Sequence, residues 1–204
     1  MTDVLKEKNG VLVEGHIKIF DPETKEVFIN KRNAIHYENM SIALARSIAN
    51  QGQGWIYEMS FGNGGTSVDP TGIITYLTPN STGTNASLYN QTYTKVVDDR
   101  SINNTDPVRN KIDIRHVSGT NYTDVLVTCL LDYGEPSGQD AFDTASNPSS
   151  LFVFDELGLK GWNPNGTGDL LTHVIFHPVQ KSLNRLIQID YTVRVQSLSG
   201  LAEE

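Results

Sequence analysis

The feature that most constrains how this chain can fold is the occurrence of large apolar residues at every second position in several segments. In the run 55–61, Trp, Tyr, Met and Phe alternate with Ile, Glu and Ser, and in the run 186–195 large apolar residues occupy every second position. Successive side chains of a strand point to opposite faces, so a period of two places the apolar side chains together. Both runs are therefore predicted to be strands with one face in a core.

Further strands are predicted wherever this period, or a short apolar run bounded by turn residues, recurs. These segments are residues 11–19, 27–29, 92–97, 111–117, 123–131, 151–154 and 170–176. Turns at 21–24 and 161–168 separate some of them, and the first turn makes 11–29 a hairpin. The chain is expected to be mainly β, a β-sandwich of about eight to ten strands with one amphipathic helix and two long loops.

One segment has the period of a helix. Between Asn33 and Asn50, apolar residues recur at steps of three to five, and several alanines add helix propensity. Gly52 then acts as a stop signal. The sequence predicts an amphipathic helix over 33–50 that lies on a sheet, because a lone helix of this length is marginal in water.

Two long stretches, residues 62–90 and 132–150, are rich in Gly, Ser, Thr, Asn and Pro and are predicted to be loops. Loops of this length are uncommon in a compact domain and usually serve a function or contact another molecule. We expect an N-terminal tail over residues 1–10, a single β-sandwich domain over 11–204, and contacts with another molecule through the two loops.

Charge and hydropathy argue against several classes of protein. The net charge is −8 and the pI about 5.1, and an acidic surface repels phosphates, so no nucleic-acid partner is expected. The N-terminus has no hydrophobic signal core and no stretch is long enough to cross a bilayer, so we expect a soluble protein made in a cytoplasm, with no membrane partner. The single cysteine, Cys129, lies in an apolar run and is predicted to be a small buried hydrophobe.

Residue types that serve catalysis and metal binding are present, but their spacing does not match that of known catalytic or metal-binding motifs. Gly62–Gly65 lacks the helix and the Lys-Ser/Thr pair of phosphate-binding loops and is interpreted as a tight turn. His173 and His177 lie four apart on a predicted strand, roughly 13 Å from each other. Asp155 and Glu156 are adjacent, so a strand would point them to opposite faces, and Glu156 is interpreted as holding a backbone turn beside Leu157–Leu159. We expect no enzymatic activity, no cofactor and no metal ion.

Candidate contact residues lie in or beside the predicted loops. They are Tyr76, Leu88, Tyr89, Phe142 and Trp162. Aromatic side chains give protein interfaces a large, rigid contact area at low entropy cost. Aromatic rings can also stack on sugars, and the candidates for this role are Tyr76, Tyr89, Tyr93, Tyr122 and Trp162. Composition therefore leaves a protein interface and a glycan-binding site as alternatives.

Two stretches of the chain contain short motifs in a characteristic order. In the first, Asn33–Met40 opens the predicted helix and Ile56–Thr66 is a strand that ends in Phe-Gly-Asn-Gly-Gly-Thr. In the second, Phe154–Leu159 is followed by Asp169–Phe176, then by Pro178–Ser182 and the closing strand. This order resembles small virion structural proteins of tailed bacteriophages, which form neck or collar, tail-tip, fibre-base and head-attachment parts.

The resemblance implies a β-sandwich subunit that assembles into a ring or trimer, and it transfers no catalytic residues. We therefore expect a structural subunit of a bacteriophage virion that forms a homo-oligomer and docks onto other tail, neck or head proteins. The alternative is a carbohydrate-binding, lectin-like module for host recognition.

Overall fold

A computed structural model describes residues 10–136 and 152–198 of the chain. Within them, twelve strands and one helix are formed. The strands are β1 (Gly10–Phe20), β2 (Val27–Ile35), β3 (Ile56–Gly62), β4 (Thr66–Val68), β5 (Ile74–Tyr76), β6 (Gln91–Val96), β7 (Lys111–His116), β8 (Tyr122–Leu131), β9 (Phe152–Asn163), β10 (Gly166–Leu170), β11 (Thr172–Lys181) and β12 (Ile187–Leu198). The helix, α1, is Tyr37–Ile48. The prediction of a mainly β fold with one helix is confirmed.

Ten of the strands form one curled antiparallel sheet. Its order is β6-β3-β9-β11-β2-β1-β12-β8-β7, with β10 added to β9, while β4 and β5 pair with each other. Two residue pairs, Thr172 with Ile35 and His173 with Ala34, join β11 to β2 in the described chain. We call β6-β3-β9-β11 the first layer and β2-β1-β12-β8-β7 the second layer. The curled sheet agrees with the predicted β-sandwich.

The core lies between the inner faces of the two layers. Its fully buried side chains come from every second position of the central strands and include Met59, Phe61, Val127, Cys129, Ile189 and Tyr191. The ring of Phe61 meets that of Phe154 edge-on, with centroids 5.3 Å apart. The predictions that the runs 55–61 and 186–195 have one face in a core and that Cys129 is buried are confirmed. Burial raises the pKa of the Cys129 thiol to about 12, so it stays protonated at neutral pH.

The helix begins later than the sequence predicts. Residues 33–35 belong to β2, where Asn33 lies opposite Gly15 of β1. α1 starts after His36, whose ring Nδ1 accepts a hydrogen bond from the Asn39 N–H at 3.2 Å and caps the helix. The backbone of the end of β2 bonds to neighbouring strands, and this pairing outweighs the helical period of the side chains.

Helix α1 covers one end of the sandwich through its buried residues Met40 and Ala43. An apolar groove of about 540 Å³ remains between α1 and the inner face of the second layer. Its walls include Leu44, Trp55, Ile56, Ile112, Ile114, Val125, Val193 and Val195. In the part of the chain that the structure describes, no helix is long and apolar enough to cross a membrane.

Strand β9 is much longer than the predicted strand at 151–154, and it continues through Gly158 and Gly161. A Cβ atom on Gly158 would lie 2.4 Å from the carbonyl oxygen of Thr172. This glycine therefore allows a close approach of two backbones inside a sheet, and it does not mark a turn. Most of the second predicted loop, 132–150, lies outside the described residues.

Candidate interaction surface and its buried carboxylates

The alternation of core residues in β9 changes phase at Asp155 and Glu156. The core residues of this strand are Phe152, Phe154, Leu157 and Leu159. The pairing with β11 shifts at the same place, where Glu156 lies opposite Ile175 and Phe154 lies opposite Val179. Between these two pairs β9 has one residue and β11 has three, so the pairing is irregular here. The odd step from Phe154 to Leu157 leaves Asp155 and Glu156 both outside the core. The prediction that the two carboxylates point to opposite faces is therefore wrong, because both point away from the core.

Both carboxylates hold the segment that was predicted to be the first long loop. We call residues 62–90 the clamped segment; it contains the β4–β5 hairpin. Asp155 accepts hydrogen bonds from the N–H groups of Gly65 and Thr66, each at 2.9 Å, and from the Thr66 hydroxyl. Burial raises the pKa of Asp155, and these bonds only partly offset it.

Glu156 holds both ends of the clamped segment at once. Its Oε1 accepts from the N–H groups of Gly64 at 3.1 Å and of Asn90 at 2.8 Å. Its Oε2 accepts from the Tyr89 N–H and from His173 Nε2, both at 2.9 Å. Burial acts to raise the pKa of Glu156, but the bonds from His173, Asn90 and Tyr89 outweigh it and leave the pKa below the ordinary value. Glu156 does hold backbone turns, but they are those of the clamped segment. The predicted location beside Leu157–Leu159 is wrong, because these residues lie inside β9.

His173 extends the clamp to the middle of the segment. Its Nδ1 accepts a hydrogen bond from the Asn80 N–H at 2.8 Å, so the ring proton sits on Nε2 and is donated to Glu156. His177 is exposed, and its Nδ1 lies 3.3 Å from the Tyr76 hydroxyl. The two histidines thus have separate environments. No group of three or more His, Cys, Asp or Glu side chains that could hold a metal ion occurs in the described ranges.

The glycines at the start of the clamped segment make room for the carboxylates. A Cβ atom on Gly62 would lie 2.5 Å from Glu156 Oε1, and one on Gly65 would lie 3.1 Å from Asp155 Oδ1. The N–H groups that a phosphate-binding loop would offer to its ligand are already bonded to these carboxylates. The turn therefore receives protein carboxylates in the place where other glycine loops receive an anion.

Several apolar side chains of the clamped segment face outward. The exposed ones are Val68, Ile73, Tyr76, Leu77 and Tyr89, at 42–63% of their full accessible area. We call these five residues the apolar surface of the clamped segment. Two of the predicted contact residues, Tyr76 and Tyr89, belong to it. The Tyr89 hydroxyl donates to the Thr78 carbonyl at 2.7 Å, which fixes the ring in place.

The other predicted contact residues lie elsewhere. Leu88 is only 4% exposed, and its side chain packs over the position of Gly158 in β9, so it anchors the segment from inside. Trp162 stacks on Trp55, with ring centroids 5.1 Å apart and planes 15° apart. Phe142 lies outside the described residues.

A shallow groove of about 460 Å³ lies beside Trp162. Its lining includes Tyr57, Glu58, Asn103 and Asn163. The Tyr57 hydroxyl accepts a hydrogen bond from the Asn103 side-chain amide at 2.9 Å. The groove therefore combines an aromatic ring with amide, hydroxyl and carboxylate groups, the residue types that can bind a polar ring compound.

The chain matches no protein-family model, no curated protein and no solved structure.

Proposed function

We propose that this chain is a structural subunit of a larger assembly, which binds copies of itself and other proteins. The observation that carries the proposal is the apolar surface of the clamped segment, held in one conformation by the buried carboxylates of Asp155 and Glu156. The assembly that we propose is a tailed-bacteriophage virion.

The clamp matters because of its effect on binding entropy. A segment rich in Gly, Ser, Thr and Asn would lose much conformational freedom if a partner had to order it. Here the clamp bonds three parts of the segment, at Gly64–Thr66, Asn80 and Tyr89–Asn90, during folding. A partner then meets a surface that is already ordered, and more of the contact free energy appears as affinity.

The chemistry of the clamp also supports a structural role. Both oxygens of Glu156 accept hydrogen bonds from the protein itself, and the Nδ1 and Nε2 atoms of His173 are both engaged. A general acid or base needs a free site for a substrate proton. These groups instead hold backbone in position, as a structural subunit requires.

The virion setting is supported by the two sequence stretches that resemble small phage structural proteins. That resemblance implies a β-sandwich subunit, which agrees with the observed fold. It also implies a ring or trimer, for which the apolar surface of the clamped segment is a suitable contact.

The test is the mass of the purified protein by light scattering, with negative-stain images of the same fraction. We expect a mass of at least twice the 22.5 kDa of one chain. Changing Tyr76 and Leu77 together to Ser should lower that mass, whereas Tyr37→Ser, which changes another exposed tyrosine on α1, should not. A monomer at every concentration would contradict self-assembly, and an unchanged mass in the double variant would contradict the role of the apolar surface.

A carbohydrate-binding function is the second candidate, because the groove beside Trp162 offers a ring and several hydrogen-bonding groups. A glycan array is the test. Signal that disappears in Trp162→Ala and survives in Tyr37→Ala would favour this function. No signal with the native protein would remove it.

A further inference from the structure

The outer face of the second layer carries a row of charges of alternating sign. One residue comes from each of its five strands: Arg32 (β2), Glu14 (β1), Arg194 (β12), Asp124 (β8) and Arg115 (β7). Glu14 lies opposite Arg194, and Asp124 lies opposite both Arg194 and Arg115. We call this set the charge row.

Two neighbouring pairs of the charge row are in direct contact. Arg32 Nη1 lies 3.6 Å from Glu14 Oε1. Arg194 forms two hydrogen bonds to Asp124, at 2.7 and 2.9 Å. These bonds, and to a smaller extent the charge of Arg115, hold the pKa of Asp124 below its ordinary value. Every internal charge of the row therefore has an opposite charge on each side, and the row ends in the positive charge of Arg115.

Arg115 stands on an edge strand. Within the described chain, β7 pairs with β8 alone, in continuous register without a bulge. The strand contains no Gly or Pro, and its residue Ile114 is 75% exposed. A regular edge of this kind has backbone N–H and C=O groups on its outer side that can pair with another strand.

The sequence of β7 is complementary to itself. Two copies of β7 can pair antiparallel with Ile114 opposite Ile114 of the second copy. Asp113 then lies opposite Arg115 of the second copy, twice by symmetry, on the outer face. A shift of two residues would instead place Asp113 opposite Asp113 of the second copy and Lys111 opposite Arg115 of the second copy. Like charges in these positions repel.

We infer that β7 is a homotypic contact, at which a second copy of this chain continues the second layer across a two-fold axis. Asp113 of the second copy supplies the negative charge that follows Arg115 in the charge row. The exposed Ile114 side chains meet on the inner face, beside the rim of the apolar groove. Such a contact is isologous, because the same patch serves on both sides.

Charged edge residues often prevent pairing between sheets. Charges of a single sign along β7 would prevent its pairing with a second copy. In β7, however, Lys111, Asp113 and Arg115 alternate in sign, and an exposed isoleucine lies between the last two. An antiparallel copy in this register therefore meets attraction at both Asp113 positions.

This inference rests on the proposed function, because it gives the self-association a defined surface that is separate from the clamped segment. The experiment uses two full-length variants, Asp113→Arg and Arg115→Asp, with the mass measured by sedimentation velocity over a range of concentrations. Each variant alone should associate at least about tenfold more weakly than the native protein, since both cross-strand pairs become repulsive. In an equimolar mixture both pairs are opposite in charge again, so a mixed dimer should form.

The mixture also controls for folding, because a misfolded variant could not recover association when its counterpart is added. Arg32→Asp is the matched control, with the same change of charge at the other end of the charge row, and its mass should equal that of the native protein. A native oligomer whose mass neither variant changes, or a mixture that stays monomeric, would overturn the edge contact while leaving the proposed function standing. A native protein that is monomeric throughout would overturn both the edge contact and self-assembly.

Discussion

Replacing Glu156 by Gln tests the clamp with almost no change of shape. The carboxylate is fully buried and accepts four hydrogen bonds, two on each oxygen. A Gln side chain keeps one oxygen and presents an NH₂ group in place of the other. That group would face two donors, the Tyr89 N–H and His173 Nε2–H, if Gly64 and Asn90 keep the remaining oxygen.

The histidine cannot relieve this conflict. Moving its proton to Nδ1 would let Nε2 accept from the Gln amide, but Nδ1–H would then face the Asn80 N–H. Hydrogen bonds to a buried charge contribute about 1.5–3 kcal/mol each, so losing two of them should lower the free energy of unfolding by about 3–6 kcal/mol.

Urea denaturation followed by tryptophan fluorescence measures this change. Glu26→Gln is the control, because the Glu26 side chain is 62% exposed, and it should shift the free energy of unfolding by no more than about 0.5 kcal/mol. Amide exchange at Gly64 and Tyr89 should also accelerate in Glu156→Gln. If its free energy of unfolding equalled that of the control, the clamp would contribute little and the reasoning would fail.

The pH dependence of the difference between native protein and Glu156→Gln follows from the lowered pKa of Glu156. Folding favours the charged form, so the stabilisation is fully present above the ordinary pKa of 4.5. It is lost as the pH falls below 4.5 and through the lower pKa of the folded state. The two proteins should therefore differ most near neutral pH and converge in acid. A gap that stayed constant down to pH values well below 4.5 would show that the carboxylate charge is not responsible.

Three further experiments test other parts of the fold. Phe61→Ala should lower the free energy of unfolding by about 3–5 kcal/mol in urea, because a fully buried ring leaves a cavity, and an unchanged midpoint would contradict its place in the core. Cys129 should resist a thiol reagent in the native protein and react in urea; rapid native reaction would contradict its burial. Lys181→Met should lower the free energy of unfolding, measured by thermal unfolding, by about 3 kcal/mol or more, because the buried ammonium donates to three backbone carbonyls. A variant more stable than the native protein would contradict this expectation.

The strands could be predicted from the sequence because a two-layer core requires apolar side chains at every second position, as in the runs 55–61 and 186–195. The boundaries of the helix and of β9 could not. These boundaries depend on the neighbouring strand. Asn33 lies beside Gly15 and Gly158 lies beside Thr172, and the sequence of one segment does not show which strand will lie next to it.

The candidate site shows the same division. Composition was enough to find Tyr76 and Tyr89 on an exposed loop, because loop aromatics are contact residues in many proteins. The sequence also drew attention to Asp155 and Glu156. Their common direction goes with the irregular pairing of β9 and β11, so no rule based on β9 alone could reveal it. The charge row is still less visible, because its five residues are far apart in sequence and only the strand order brings them together.

The pairing of β1 with β12 has a mechanical consequence. Residues 10 and 198 lie opposite each other at one end of eleven consecutive residue pairs. Tension that pulls these two residues apart would load only the end pair at any moment, so the strands would unzip pair by pair at low force. Tension applied along the strands in opposite directions would shear all of the pairs together and meet far greater resistance. A subunit of this design withstands load that enters through its faces and edges much better than load that enters through residues 10 and 198.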